Sequence, residues 1–295
     1  MNMENQKIGF IGLGIMGAQM ASHLRNAGHS LHVYTRSKPK AAHLISMGAK
    51  WCDSPKEIAQ ECDVIFTIVG FPDDVREVYL GENGLVANAK SNSILCDMTT
   101  SEPSLAIEIA EQAAQRQIET LDAPVSGGDT GAKNASLSIM VGGYKETFDR
   151  ILPLFQLMGK NIVYQGKSGS GQHCKMCNQI AIAGTMMGMI EALRYAKQYG
   201  LCQKELLASI SKGAAGSWSL DNLAPRIIAK DSSPGFLIKH FLKDMQIAAK
   251  ESQSINMSVP VLSKTIEYYE KAAKSGGEDM GTQGLYMLWE ENPHW

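Results

Sequence analysis

The chain has 295 residues, of which 44% are hydrophobic and 20% charged, a length and composition that suit about two globular domains. Its 28 basic and 30 acidic residues nearly balance, which argues against nucleic acid as the main partner because phosphate binding needs a basic surface. The longest apolar run, residues 180–190, is far shorter than the roughly 20 residues of a membrane span, so we expect no membrane association.

The beginning of the chain and its cysteines bear on the cellular compartment. The sequence MNMENQK leads directly into IGFIGLG, which is too short and too Gly-rich for the apolar core of a signal peptide. The six cysteines, at positions 52, 62, 96, 174, 177 and 202, show no regular spacing. Both features predict a cytoplasmic protein with reduced thiols.

In the first half of the chain, short β-rich runs alternate with amphipathic segments. The predicted strands are KIGFIGLG, HSLHVYTR, DVIFTIVG and NSILCDMT, and the segments between them include MGAQMASHLRNAG, KPKAAHLISMG and PDDVREVYL. Two later runs, QIETLDAPVSG and ASLSIMVGG, extend the sheet. This alternation predicts a parallel, doubly wound sheet with helices on both faces, a Rossmann-type α/β domain over residues 1–168.

From about residue 169 onward, turn signals become rare and the apolar residues follow a helical period. The predicted helices cover roughly 171–199, 203–212, 217–229, 235–254, 260–274 and 281–290. We therefore predict an all-helical domain over residues 169–295, joined to the first by a long helix that starts near Gly171. Its high apolar content and its methionines favour a subunit interface, so we expect a homodimer or homotetramer.

A glycine-rich turn follows the first predicted strand. It has the pattern G-x-G-x-x-G, formed by Gly12, Leu13, Gly14, Ile15, Met16 and Gly17. Between a strand and a helix, this pattern predicts a dinucleotide site: Gly12 permits the tight turn, Gly14 the approach of a pyrophosphate, and Gly17 close helix–strand packing. The phosphates would accept hydrogen bonds from the N–H groups at the helix start. A turn without a ligand is the alternative.

The end of the second predicted strand indicates which dinucleotide binds. NAD-specific domains usually place Asp or Glu there to bind the ribose 2′-OH, but this chain has Thr35, Arg36 and Ser37. Arg36 is suited to pair with a 2′-phosphate, Ser37 adds a hydroxyl, and Lys38 and Lys40 add positive charge. The sequence thus favours NADP over NAD, with a solvated basic turn as the alternative.

Five strings distributed over nearly the whole chain carry a family resemblance. They are GFIGLGIMG, DAPVSGG (122–128), IMVGG (139–143), GSGQHCKMCNQ (169–179) and KDMQIA (243–248). With these strings the chain resembles the β-hydroxyacid dehydrogenase family, which includes 3-hydroxyisobutyrate dehydrogenase, tartronate semialdehyde reductase and the glyoxylate/succinic semialdehyde reductases. The more distant 6-phosphogluconate dehydrogenase shares this plan, so the resemblance implies the same two-domain fold.

The resemblance also implies the catalytic residues. The family pattern G-x-G-x-x-x-K-x-x-N matches Gly169, Gly171, Lys175 and Asn178. It implies that Lys175 is the general acid and base at the substrate's oxygen and that Asn178, three residues later on the same helix face, binds and orients the substrate. A position near a helix N-terminus would ease release of the lysine's proton.

A Cys-x-x-Cys pair, Cys174 and Cys177, flanks this lysine and raises the alternative of a metal or redox site. A zinc site needs about four ligands, and no second Cys pair or His-x-x-x-His accompanies this one. A dithiol redox site would be expected after a strand in a thioredoxin-like unit. We therefore expect no metal, and interpret the two cysteines as packing residues around Lys175.

The resemblance implies further binding residues. In DAPVSGG, Ser126 and the backbone N–H groups of Gly127 and Gly128 would bind the substrate carboxylate, since successive N–H groups form an anion-binding concavity; a plain turn is the alternative. The residues with an implied cofactor contact are Val69, Gly70, Thr100 and Lys243. For Lys243 and its neighbour Asp244, an exposed charge pair is the alternative. Ala135 occupies a place where the family usually has Gly, and Trp218 is either a wall of the substrate pocket or a core residue.

The predicted function is NADP(H)-dependent interconversion of a small carboxylate-bearing aldehyde or keto acid and its hydroxy acid. Candidate substrates are glyoxylate, succinic semialdehyde, tartronate semialdehyde and methylmalonate semialdehyde. One alternative is an NAD-dependent 3-hydroxyisobutyrate dehydrogenase, against which Arg36 argues. Imine reductases share the architecture, but Lys175 favours carbonyl chemistry. A non-enzymatic NADP-binding regulatory module is the alternative from another class.

Overall fold

The structure is a computed structural model that describes residues 6–295; residues 1–5, the start of the segment in which we predicted no signal peptide, lie outside the described residues. The chain divides into two compact units, one ending at Lys175 and the other comprising Met176–Trp295. The 29-residue helix α9 (Ser170–Gln198) contributes to both units.

The first unit is built on one sheet, which has nine strands within residues 6–295. They are β1 (Lys7–Ile11), β2 (Ser30–Tyr34), β3 (Lys50–Trp51), β4 (Val64–Thr67), β5 (Ile94–Asp97), β6 (Glu119–Asp122), β7 (Val125–Ser126), β8 (Leu137–Gly143) and β9 (Gly159–Gly166). The strand order is β3-β2-β1-β4-β5-β6-β8-β7, with β9 paired to β8. Strands β1 to β6 pair in parallel, whereas β8 runs antiparallel to both β6 and β7.

Helices connect these strands. They are α1 (Ile15–Asn26), α2 (Ala42–Ser46), α3 (Pro55–Glu61), α4 (Pro72–Leu80), α5 (Leu85–Asn88), α6 (Pro103–Ala114), α7 (Gly128–Lys133) and α8 (Lys145–Gln156). Three of the longer ones, α3, α4 and α6, begin with proline, which suits the first helical position because its missing N–H would be unpaired there.

Alternate strand residues enter two cores on the two faces of the sheet. In β4, Val64 and Phe66 pack into the core formed with α1 and α8, and Ile65 packs into the core formed with α3, α4 and α6. All three side chains are fully buried. Burial on both faces explains why this strand is a continuous apolar run rather than an alternating one.

The second unit is helical. After α9 it contains α10 (Gln203–Ile210), α11 (Trp218–Asn222), α12 (Ala224–Ile228), α13 (Ile238–Ser254), α14 (Pro260–Ala272) and α15 (Leu285–Glu291). Its core includes Met186, Phe241, Met245 and Tyr269, each 1% exposed or less. None of the helices in residues 6–295 has the length and hydropathy needed to cross a membrane.

The predicted architecture, a Rossmann-type domain followed by a helical domain, is confirmed, but the predicted elements differ in detail. The expected strand QIETLDAPVSG is interrupted between β6 and β7 at Pro124, whose carbonyl accepts a hydrogen bond from Met140 N. The expected helix 217–229 is two short helices, with Pro225 in the first turn of the second. The antiparallel strand β8 was also unexpected, because hydrophobic patterning does not specify strand direction.

Candidate active site

The glycine-rich turn between β1 and α1 is shaped by contacts that exclude side chains at two positions. Gly12 has a φ of +93°, and a Cβ there would lie 2.0 Å from the carbonyl oxygen of Ile68. A Cβ on Gly17 would lie 1.9 Å from the oxygen of Gly12. By contrast, a Cβ on Gly14 would have no atom within 4 Å, and no side chain caps the helix that starts after it. The open position beside N–H groups fits a dinucleotide pyrophosphate.

The segment after β2 places its basic residues among specific partners. Arg36 is largely exposed, at 81% for its side chain, and its Nη1 donates to Asp74 Oδ1 at 3.0 Å. Asp74 also caps α4, because its Oδ2 accepts from the N–H of Phe71. Lys38 Nζ lies 5.1 Å from the ring centroid of Trp51. Thr35 is half-buried and Ser37 is exposed. Arg36 is held at the surface by an acidic residue in the first turn of α4.

The loops that follow β4 and β5 are joined by hydrogen bonds. Val69 N donates to the hydroxyl of Thr99 at 3.0 Å. Thr99 N donates to Asp97 Oδ1, which also accepts from the hydroxyl of Thr67, both at 3.0 Å. The loop containing Val69 and Gly70 is therefore fixed to the loop containing Thr100. Thr99 is buried and Thr100 only half-buried, so Thr100 is the more accessible of the two hydroxyls.

Lys175 is buried, at 5% exposure, in the second turn of α9. Its Nζ donates a hydrogen bond to the carbonyl oxygen of Val125 at 2.9 Å. The next residue, Ser126, is half-buried, and after it Gly127 and Gly128 adopt φ angles of +129° and +63°. The structure thus brings the predicted proton donor against the strand that leads into the predicted carboxylate-binding segment.

The start of α9 is attached to the end of β6 through Asp122. The two carboxylate oxygens accept from the backbone N–H groups of Gly169 and Gln172, each at 2.8 Å. Burial raises the pKa of Asp122 to about 6; the backbone hydrogen bonds oppose this increase, and the neighbouring Asp97 carboxylate adds to it. The contact is so close that a Cβ on Gly171 would lie 2.4 Å from the Asp122 carbonyl oxygen.

In the second unit, a chain of polar contacts runs between the two helices α9 and α13. Asn178 Nδ2 donates to Gln179 Oε1 at 2.7 Å, and Gln179 Nε2 donates to Asp244 Oδ2 at 2.6 Å. Asp244 Oδ1 lies 2.8 Å from Lys243 Nζ, and the two side chains are 2% and 12% exposed. Lys243 and Asp244 are therefore a buried pair rather than an exposed one.

The two cysteines beside Lys175 do not surround it. Cys174 is half-buried and Cys177 is exposed, so our interpretation of Cys177 as a packing residue is wrong. No three His, Cys, Asp or Glu side chains within residues 6–295 are arranged to hold a metal ion. Trp218 is 51% exposed and is therefore not a core residue. Ala135 has a φ of +50°, a conformation that favours the glycine usual in the family.

Two residues in the site were not singled out by sequence reasoning. Asp122 and Gln172 lie within the strings DAPVSGG and GSGQHCKMCNQ, but neither was assigned a role. Gln172 is fully buried, and its side-chain amide bonds to two backbone groups of the loop after β5. For Gln172, the sequence signal was its position three residues before Lys175, which places a polar side chain on the same helix face as the lysine.

The fold and the glycine-rich turn are those of a dinucleotide-binding protein, and comparison with known proteins shows a nicotinamide-dependent oxidoreductase and identifies its family. Residues 7–166 match the model of the NAD-binding domain of 6-phosphogluconate dehydrogenase. Residues 169–289 match the model described as NAD-binding of NADP-dependent 3-hydroxyisobutyrate dehydrogenase. The chain therefore belongs to the β-hydroxyacid dehydrogenase family, as its sequence motifs predicted.

Individual relatives extend over nearly the whole chain. An uncharacterized oxidoreductase of Bacillus subtilis (strain 168) is 55% identical over 96% of this chain and 98% of its own length. The 2-hydroxy-3-oxopropionate reductase of Escherichia coli (strain K12) is 37% identical over 96% of this chain and 97% of its own length. The structure of Mycobacterium tuberculosis 3-hydroxyisobutyrate dehydrogenase with L-serine superimposes with a TM-score of 0.86 at 28% identity, covering 96% and 98% of the two chains.

Proposed function

We propose that this protein is an NADP(H)-dependent reductase of small carboxylate-bearing aldehydes or keto acids, with Lys175 as general acid and base. The observation that carries the proposal is the buried Lys175 side chain, whose Nζ lies 2.9 Å from the Val125 carbonyl, one residue before Ser126. The E. coli relative named 2-hydroxy-3-oxopropionate reductase supports a substrate with an aldehyde and a carboxylate on a short carbon chain.

The chemistry of Lys175 follows from its charge and its position. When bound, the nicotinamide supplies a hydride to the carbonyl carbon in reduction, or accepts one in oxidation. Negative charge then develops on the carbonyl oxygen, which the Lys175 ammonium stabilises and protonates. An ammonium has three N–H donors, of which Val125 accepts one, so this hydrogen bond orients Nζ. In the oxidative direction the neutral amine removes the hydroxyl proton.

The substrate carboxylate requires donors close to this lysine. We assign this role to the Ser126 hydroxyl and the N–H groups of Gly127 and Gly128, which directly follow the residue that holds Lys175. Asn178 lies one turn after Lys175 on α9, at the spacing that places two side chains on one helix face, and we assign it to the substrate as well.

The preference for NADP is supported by the residues after β2. Arg36 has five N–H donors, is largely exposed, and uses Nη1 for Asp74. A 2′-phosphate offers several oxygens to such a group, and Ser37 and Lys38 follow directly in the chain. The name of the second family model, NADP-dependent 3-hydroxyisobutyrate dehydrogenase, agrees with this preference.

The test is the absorbance of NADPH in the presence of glyoxylate, succinic semialdehyde, tartronate semialdehyde or methylmalonate semialdehyde. The same reactions are run with NADH, and the products are identified by mass spectrometry. We expect oxidation of NADPH with at least one aldehyde, and a higher kcat/KM for NADPH than for NADH. If the protein bound NADPH but oxidised it with none of the four aldehydes, the result would contradict the proposal and favour a non-enzymatic binding module.

A further inference from the structure

Gln172 makes three hydrogen bonds that join separate segments of the proposed active site. Its backbone N–H donates to Asp122 Oδ2 at 2.8 Å. Its side-chain Nε2 donates to the Thr99 carbonyl at 2.7 Å, and its Oε1 accepts from the N–H of Ser101 at 3.0 Å. The residue is fully buried, so water does not compete for these bonds.

The segments joined at Gln172 are those that carry the assigned residues. The Thr99–Ser101 segment contains Thr100 and is itself bonded to Val69, on the side assigned to the cofactor. Asp122, the partner of the Gln172 backbone N–H, lies at the end of β6. Strand β7 follows, and its Val125 carbonyl accepts the hydrogen bond from Lys175. One residue thus connects the loops assigned to the cofactor with the helix that carries the proton donor.

The chemistry of the amide explains why glutamine occupies this place. One of its neighbours, the Thr99 carbonyl, is an acceptor, and the other, the Ser101 N–H, is a donor. A carboxylate of the same shape would place a second oxygen against the Thr99 carbonyl, and a thioether of similar length would leave both groups unpaired. Only a side chain with one donor and one acceptor in this geometry satisfies both.

We propose that Gln172 is a positioning residue: it fixes Lys175 relative to the loop containing Thr100, and so sets the geometry in which hydride and proton reach the substrate. The proposal rests on the proposed function, since it assigns Gln172 a role in that same reaction. A misplacement of about 1 Å at a reacting group is sufficient to cost roughly 100-fold in rate, even when the altered residue touches no substrate.

A matched residue in the second unit provides the control. Gln283 is also buried, at 1% exposure, and its Nε2 donates to the carbonyls of Asp231 and Ser233, both at 3.0 Å. Gln172→Met and Gln283→Met therefore each remove a buried side-chain amide that is hydrogen-bonded to the backbone of a loop. A loss of activity that follows from lower stability alone would affect both variants similarly.

The experiment compares wild type, Gln172→Met, Gln172→Glu and Gln283→Met, using the best aldehyde and NADPH at a temperature well below unfolding. For both Gln172 variants we expect kcat to fall about 10- to 100-fold, with the KM for NADPH changed less than about threefold. For Gln283→Met we expect a kcat near that of wild type. An unchanged kcat in both Gln172 variants, or an equal loss in Gln283→Met, would overturn the proposal.

Hydrogen exchange measured by mass spectrometry tests the connection without any turnover. We expect faster exchange in Gln172→Met than in wild type for peptides covering residues 97–102 and 167–176. The first contains the Ser101 N–H that the Gln172 side chain protects, and the second is the start of α9 that this side chain attaches to it. Unchanged exchange in both peptides would show that Gln172 does not fix α9 to the loop containing Thr100, and would overturn the proposal even if activity fell. Absence of turnover in wild type with every aldehyde would instead contradict the proposed function, so the two failures are distinguishable.

Discussion

Lys175 Nζ donates to the Val125 carbonyl at 2.9 Å while the lysine side chain is almost completely buried. An ammonium in this setting retains a fixed position near Ser126, whereas an exposed lysine would sample many rotamers. If Lys175 is the general acid, Lys175→Ala should lower kcat by about 10²- to 10⁴-fold and leave NADPH affinity nearly unchanged. Steady-state kinetics and cofactor titration by fluorescence measure the two quantities separately.

Cys177→Ser is the control for that experiment, because Cys177 is exposed two residues after Lys175 on the same helix. We expect it to retain the activity of wild type, and the double variant Cys174→Ser/Cys177→Ser likewise. If the double variant lost activity while Lys175→Ala kept it, the cysteines would be the working residues and the lysine assignment would be wrong.

The pKa of Asp122 gives a prediction about stability and pH. Burial raises this pKa from 3.8 to about 6, so between these pH values the folded state binds more protons than the unfolded state. The contribution of Asp122 to the free energy of unfolding is therefore fully present below about pH 4. It falls by about 3 kcal/mol as the pH rises through about 6. Urea unfolding at a series of pH values measures this change.

Asp122→Asn isolates the contribution of that group. An amide has one acceptor oxygen for the N–H groups of Gly169 and Gln172, so one of them loses its partner, at a cost of about 1–3 kcal/mol. Because the amide does not titrate, the stability of wild type minus that of the variant should decrease as the pH rises from 4 to 6. An increase over this range would show that the two backbone hydrogen bonds outweigh burial and that the pKa is lowered.

The sequence predicted the parts of the site that depend on local backbone and on motif. Gly12 and Gly17 were identifiable because their roles arise within one strand–turn–helix unit, whereas Lys175 was singled out only through the family pattern that it shares with Gly169 and Gly171. The Rossmann strands were also identifiable from the sequence, because burial on both faces of the sheet requires continuous apolar runs.

The parts that were not predicted depend on contacts between residues far apart in the chain. Gln172 bonds to residues about 70 positions earlier, and nothing in its own neighbourhood specifies them. The same is true of Arg36, whose partner Asp74 lies 38 residues later in the first turn of α4. Asp244 bonds to Gln179 of α9, 65 residues earlier, so the sequence alone left an exposed pair of Lys243 and Asp244 open.

Cofactor preference should depend on Arg36 and, in the opposite sense, on Asp74. Hydrogen bonds from Arg36 to a 2′-phosphate are expected to contribute about 1.5–3 kcal/mol, so Arg36→Ala should lower the ratio of kcat/KM for NADPH to that for NADH by roughly 10- to 100-fold. Asp74→Asn should raise this ratio, because it removes a carboxylate that holds Arg36 and repels the phosphate. A ratio that neither substitution changes would place NADP selectivity elsewhere.

The buried ion pair of Lys243 and Asp244 should be strongly coupled in stability. Lys243→Met leaves a carboxylate that is 2% exposed without its cation, which should cost about 3–5 kcal/mol, and Lys243→Met/Asp244→Asn should recover much of that loss. The matched control is Lys239→Met on the same helix, whose partner Asp279 is 71% exposed; it should cost less than about 1 kcal/mol. Urea unfolding of the complete double-mutant cycle measures the coupling, and additive single effects would mean that water screens the pair.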